Sequence, residues 1–214
     1  MWYGIVNRSF DAEEFDAYVS SLRLEDYRWK PEFIVLHNTF IPRFTESHPG
    51  IDHWSSGEVT VEQRLMNMEK YYRDQLRLNG GPHLFIADRI WVFTPLTCPG
   101  SHTMTGNDIS YGVEMVGDYN VEPLSDIVRD NTISALISLT RHSKLDPKSL
   151  RLHKDDPKAG QGVGYGDSRC PGVNVDKQYF IDQIVNATKQ QEQEQEQEEK
   201  PKVAVTPSRV TLKK

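Results

Sequence analysis

The chain has 214 residues, 37% hydrophobic and 26% charged, with a formal net charge of −6, the balance of a globular domain with a full core. The acidic excess and the lack of a Lys/Arg stripe argue against a nucleic-acid partner, and no apolar run reaches the roughly 18 residues that span a bilayer. The start, Met1-Trp2-Tyr3-Gly4-Ile5-Val6-Asn7-Arg8, has no basic region followed by a long apolar one, so the expected location as made is the cytoplasm. In chain order, Asp11-Ala12-Glu13-Glu14 reads as a reciprocal capping box opening a helix, with Phe15, Tyr18, Val19 and Leu22 on one face. Trp29-Lys30-Pro31 breaks it. Phe33-Ile34-Val35-Leu36 then runs into His37, which reads as a strand buried on both faces with a histidine where it emerges. Residues 42–57 read as a loop forming one wall of a site.

Thr60-Val61-Glu62-Gln63 reads as a second capping box, followed by a helix with Leu65, Met68, Tyr71, Tyr72 and Leu76 as core face and Gly80-Gly81 as its stop. His83–Ala87 and Ile90–Phe93 flank Asp88-Arg89 as a hairpin. A loop with His102 leads to a strand at Tyr111–Gly117, in which period two puts Val113 and Met115 on one face and Gly112 and Glu114 on the other. A glutamate inside an apolar strand is costly unless it is paired or used. A third helix is expected over 127–139, with Ile133, Leu136, Ile137 and Thr140 inward. A further strand ends at His153, and a last helix begins at 174–176 with Phe180, Ile181, Ile184 and Val185 inward. Strands mixed with helices and a hairpin predict an α/β domain over residues 1–188, with a mixed central sheet flanked by helices. Residues 189–214, opening on alternating Gln and Glu, read as a low-complexity, disordered tail, whose first part could extend the last helix.

Two cysteines are too few for a disulfide framework. Cys98 reads as a small buried residue and Cys170, before Pro171-Gly172, as a thiolate ligand. Two histidines and one cysteine from separate segments, His37, His153 and Cys170, make the ligand set of a zinc ion with an open fourth position. Such an ion lowers the pKa of its water to about 7, and amide hydrolysis also needs a proton shuttle and an oxyanion donor. Glu114, projecting from the same sheet, suits the shuttle. Spacing leaves rivals open: His153 could be a surface residue beside Lys154-Asp155-Asp156, Cys170 an inert thiol and Glu114 the partner of an arginine.

Over residues 30–186 the chain resembles the type-2 N-acetylmuramoyl-L-alanine amidases, the family of phage lysozyme-type amidases and peptidoglycan recognition proteins. The resemblance rests on His37-Asn38-Thr39, Gly81-Pro82-His83-Leu84-Phe85-Ile86, Gly100-Ser101-His102, Tyr111-Gly112-Val113-Glu114-Met115-Val116-Gly117, and His153 with Cys170-Pro171-Gly172, in that order. It implies zinc on His37, His153 and Cys170, and Glu114 as the catalytic residue. It further implies a peptidoglycan or muropeptide substrate, cleaved between N-acetylmuramic acid and L-alanine in wall lysis of the endolysin kind or in muropeptide recycling, with release to the periplasm or cell wall in the first case. No protein partner is expected. The alternative is a recognition protein that binds muropeptide without cutting it. Two positions depart from the pattern: Pro82 stands where many members carry a tyrosine, and Ser168 where many carry a lysine. His102, Arg169 and Lys154 are the candidates for substrate or oxyanion binding in their place. His48, His53, His83 and His142 read as structural or solvent-facing.

Overall fold

The computed structural model describes residues 2–44, 53–54, 59–161 and 168–198. Its strands are β1 (Arg8–Phe10), β2 (Phe33–Asn38), β3 (Leu84–Ile86), β4 (Ile90–Val92), β5 (Ser110–Met115) and β6 (Arg151–Leu152). They form one sheet in the order β1-β4-β3-β5-β2-β6. The edge pairs β1–β4 and β4–β3 are antiparallel, while β3–β5, β5–β2 and β2–β6 are parallel. The sheet is mixed, as the sequence predicts, and the 84–92 hairpin forms.

Alternation along the strands divides the core. Ile34 and Leu36 of β2, Leu84 and Ile86 of β3, and Tyr111, Val113 and Met115 of β5 pack on one face. The helices α1 (Ala12–Leu22), α3 (Asp126–Ser143) and α4 (Lys177–Glu198) cover that face through Phe15, Val19, Leu136, Leu139, Phe180 and Ile184. Each such fully buried side chain contributes roughly 1.5–3 kcal/mol. The other face carries Phe85, Trp91, Phe93 and Val116, packed against Leu65 of helix α2 (Val61–Lys70) and against Trp54 from the segment before it.

The α1 capping box forms in both directions: Glu14 N donates to Asp11 Oδ1 and Asp11 N to Glu14 Oε2, each at 2.9 Å. At α2 only half of the expected box is present. Thr60 Oγ1 accepts from Gln63 N at 3.2 Å, but the Gln63 side chain donates to Asn67 Oδ1, one turn on, instead of returning to the cap. The α2 helix also stops short of the glycines, passing into a π-helical turn at Tyr71–Gln75. The expected third helix runs longer at both ends, and its buried face is centred on Val128, Thr132, Ala135, Leu136 and Leu139, leaving Ile133 and Ile137 at the margin. The last helix starts slightly later than expected and continues through the Gln/Glu run to Glu198. No described helix is long and apolar enough to cross a membrane. Of the 42–57 loop, Pro42–Phe44, His53 and Trp54 are described, with Trp54 N donating to Arg43 O at 2.8 Å; His48 lies outside the described residues.

Candidate metal centre

The centre sits at the carboxyl ends of three adjacent parallel strands. His37 is the fifth residue of β2 and is in register with Glu114 of the neighbouring β5, so both side chains leave the sheet on the face opposite α1, α3 and α4, the face that α2 packs on. His153 follows directly on β6, which flanks β2 on its other side through Val35↔Arg151 and Leu36↔Leu152. The turn after β6 is capped by Asp155, whose Oδ2 accepts from Leu152 N at 3.0 Å. Cys170 reaches the same spot because Gly172 (φ +117°) lets its turn lie against the Tyr119 backbone: a Cβ there would stand 2.4 Å from Tyr119 C. Asn174 N bonds Tyr119 O just beyond it.

The ligating atoms of His37, His153 and Cys170 lie within 4.8 Å of one another, and all three residues are buried. His37 Nδ1 is 4.0 Å from Cys170 Sγ, and the rings of His37 and His153 are 4.5 Å apart. Cys170 Sγ accepts from Asn38 N at 3.3 Å, an interaction that favours the thiolate, and neither cysteine is in a disulfide. Burial holds the pKa of His37 well below its usual value, helped by His102 and His153, and burial also lowers that of His153. Both rings are therefore neutral at pH 7, with lone pairs to give.

His153 supplies the test of fit. The residue is 2% exposed, yet neither Nδ1 nor Nε2 has a hydrogen-bond partner among the described residues. Buried polar atoms in native proteins are nearly always satisfied, and leaving one unmet costs about 1–3 kcal/mol. A cation between His153, His37 and Cys170 removes that deficit at one nitrogen. Two imidazoles and a thiolate are a donor set that suits zinc.

A cavity of about 280 Å³ opens over the centre, lined by His37, His153, Cys170, Glu114, Tyr72 and Phe85 among others. Glu114 is half-buried, no described residue hydrogen-bonds its carboxylate, and burial pushes its pKa up to about 8. A carboxyl poised near neutrality next to an open cavity suits proton transfer.

Other residues picked out in the sequence fall in different places. Lys154 and Arg169 are exposed and do not line the cavity, so neither side chain supplies a cation there; Lys154 takes part through its backbone, donating to Cys170 O at 2.9 Å. Pro82 and Ser168 are likewise outside the lining. His102 borders the cavity but its ring is turned to His37, with Nδ1 3.0 Å from His37 Nε2. His83 is fully buried and structural, its Nε2 3.0 Å from Cys98 O and its Nδ1 accepting from Gly112 N at 3.0 Å. His142 pairs with Asp16.

Met68, Tyr71 and Tyr72, read in the sequence as core face, line one wall of the cavity; Met68 and Tyr72 also pack against the Phe85 and Phe93 cluster, as read, whereas Tyr71 does not. Tyr71 is 45% exposed, while burial, then the nearby Glu114, raises the pKa of Tyr72.

No protein-family model matches the sequence, and no curated protein matches it significantly in sequence. Solved structures do match in fold. The endolysin N-acetylmuramoyl-L-alanine amidase LysCS from Clostridium intestinale URNW aligns with a TM-score of 0.53 at 21% identity, covering 73% of this chain and 85% of that one. A Tyr-to-Phe mutant of Drosophila PGRP-LB in complex with tracheal cytotoxin gives 0.53 at 18% identity, over 70% and 79% of the two chains. Drosophila peptidoglycan recognition protein SA gives 0.53 at 18%, over 70% and 77%. The chain thus has the fold shared by N-acetylmuramoyl-L-alanine amidases and peptidoglycan recognition proteins.

Proposed function

We propose that this chain is a zinc-dependent N-acetylmuramoyl-L-alanine amidase, hydrolysing the amide between N-acetylmuramic acid and L-alanine in peptidoglycan or a muropeptide. The observation that carries the reading is His153, buried with both ring nitrogens unmet and within ligand reach of His37 and Cys170, beside a carboxyl of raised pKa. The fold likeness to an amidase endolysin and to a recognition protein bound to tracheal cytotoxin supports the substrate class.

His37, His153 and Cys170 would hold the zinc. When bound, zinc activates water at neutral pH and polarises the scissile carbonyl. Glu114 takes a proton on its carboxylate and returns it to the departing amine, a transfer typically worth 10²–10⁴-fold in rate. Tyr72, Phe85 and Met68 form an apolar wall that holds the substrate over Glu114 and limits water entry. Cell-wall lysis of the endolysin kind and muropeptide recycling both fit this chemistry.

The test is zinc content together with turnover on purified peptidoglycan, wild type against Cys170→Ser. One zinc per wild-type chain, release of new L-alanine amino termini, and loss of both in the variant are expected. Zinc without turnover would replace the amidase by a muropeptide-binding protein. No zinc would overturn the reading.

A further inference from the structure

We infer that His102 is a positioning residue for the metal centre: it accepts the Nε2 proton of His37 and so fixes His37 in the tautomer whose Nδ1 lone pair faces Cys170. This inference rests on the zinc reading above, but its hydrogen-bond part can be measured without metal.

The argument is one of donors and acceptors. His102 Nε2 lies 3.3 Å from Ser110 O, and a carbonyl oxygen only accepts. Ser110 Oγ, 3.5 Å from the same nitrogen, donates its own proton to Gly106 O at 2.7 Å, so it too is an acceptor towards His102. The proton on His102 therefore sits on Nε2. Among the described residues no carboxylate hydrogen-bonds the ring, which is buried, so it is neutral and its Nδ1 carries a lone pair. That lone pair is 3.0 Å from His37 Nε2, which must supply the proton. The neutral His37 ring then has its other nitrogen, Nδ1, bare, and this is the atom 4.0 Å from Cys170 Sγ. The relay runs in one direction from Ser110 to the centre, with each nitrogen's role set by the one before it.

The fold holds His102 in this place from three sides. A Cβ on Gly112 would stand 2.4 Å from His102 Cγ and 2.6 Å from Cδ2, so only glycine at this position of β5 leaves room for the ring. Asn107 Oδ1 accepts from the backbone N–H of both His102 and Thr103, at 2.8 and 2.9 Å. Asp156, three residues beyond His153, accepts from Met104 N and Thr105 N at 3.0 Å and from Thr105 Oγ1 at 2.9 Å. The loop that carries His102 is thus tied to the turn that carries His153.

Outer partners of this kind typically change metal affinity 10–100-fold. The experiment is nitrogen-15 NMR of the imidazoles in the metal-free protein, paired with zinc affinity by chelator competition, for wild type, His102→Leu and His102→Asn. Wild-type His37 should show the proton on Nε2. His102→Leu should average the two His37 tautomers and weaken zinc about 10–100-fold. His102→Asn, whose Oδ1 stands near the lost Nδ1, should keep the tautomer and recover part of the affinity. A wild-type His37 protonated on Nδ1 overturns the inference, as does a His102→Leu protein with unchanged tautomer and zinc affinity. If His102→Leu does not fold, the wild-type spectrum decides alone. A wild type that binds no zinc yet shows the Nε2 proton overturns the zinc reading and leaves the relay standing; zinc binding with the opposite tautomer overturns the relay only.

Discussion

Two ends of the parallel strands each hold a buried histidine, and they are solved differently. His83, immediately before β3 at its amino-terminal end, is closed on itself: one nitrogen meets Cys98 O and the other meets Gly112 N. His153, just past the carboxyl end of β6, is as deeply buried and meets nothing with either nitrogen among the described residues. Similar burial with opposite satisfaction separates a histidine that builds the fold from one whose nitrogens could take a ligand. Burial alone does not make that distinction, and neither does proximity to other histidines, since His83 lies 5.9 Å from the ring of His102.

The largest expected effect breaks the comparison at its open end. His153→Leu should abolish stoichiometric zinc binding and peptidoglycan turnover while leaving the metal-free melting temperature equal or higher, because two unmet buried nitrogens are removed. His83→Leu should do the reverse. It strands Gly112 N–H and Cys98 O, at a cost of about 2–4 kcal/mol in denaturant titration, with zinc affinity shifted less than ~10-fold. If both variants lose zinc and stability alike, the contrast between the two ends is wrong.

Glu114→Gln sharpens the functional side. Turnover should fall about 10²–10⁴-fold with zinc content unchanged. The same variant reads the pKa of about 8 in folding, because native Glu114 keeps its proton to higher pH than the unfolded chain, whose glutamate titrates near 4.5. The unfolded state therefore binds fewer protons between these values, and metal-free wild type should lose stability as pH rises from about 4.5 to 8. Glu114→Gln, with nothing to titrate there, should show a flatter thermal-melt profile over that window. The smallest effects lie at the helix caps. Asp11→Ala, which breaks a two-way box, should cost about 1 kcal/mol, and Thr60→Ala, which breaks a one-way cap, less than that in the same titration.

The sheet and its covering helices were legible because their signals are local: the apolar run at 33–36, the alternation at 111–115 and the Asp11/Glu14 box each determine an element within a few residues. The three candidate ligands were legible as a set from their residue types, with rivals left open by their spacing, and the family resemblance implied the same three. The rest depended on competitions that sequence patterns do not rank. Gln63 chose Asn67 over its own cap, a competition between two local partners that sequence does not rank. The cavity wall of Met68, Tyr71 and Tyr72 depended on where α2 gives way to the π-helical turn. Lys154 and Arg169, expected as oxyanion donors, do not line the cavity: each is the chain neighbour of a buried candidate ligand on its own turn, and both are exposed.

The position of β2 at the middle of the parallel strands bears on how the zinc proposed above would be taken up. His37 and Glu114 are in register, and the strands that carry them are laddered to β6 and β3 on their outer sides over a large apolar core. On that reading ion capture should be separate from folding, unlike in small zinc modules that collapse only around their metal. Chelator-treated protein should then keep its cooperative melting transition, and adding zinc back should restore turnover without a refolding step.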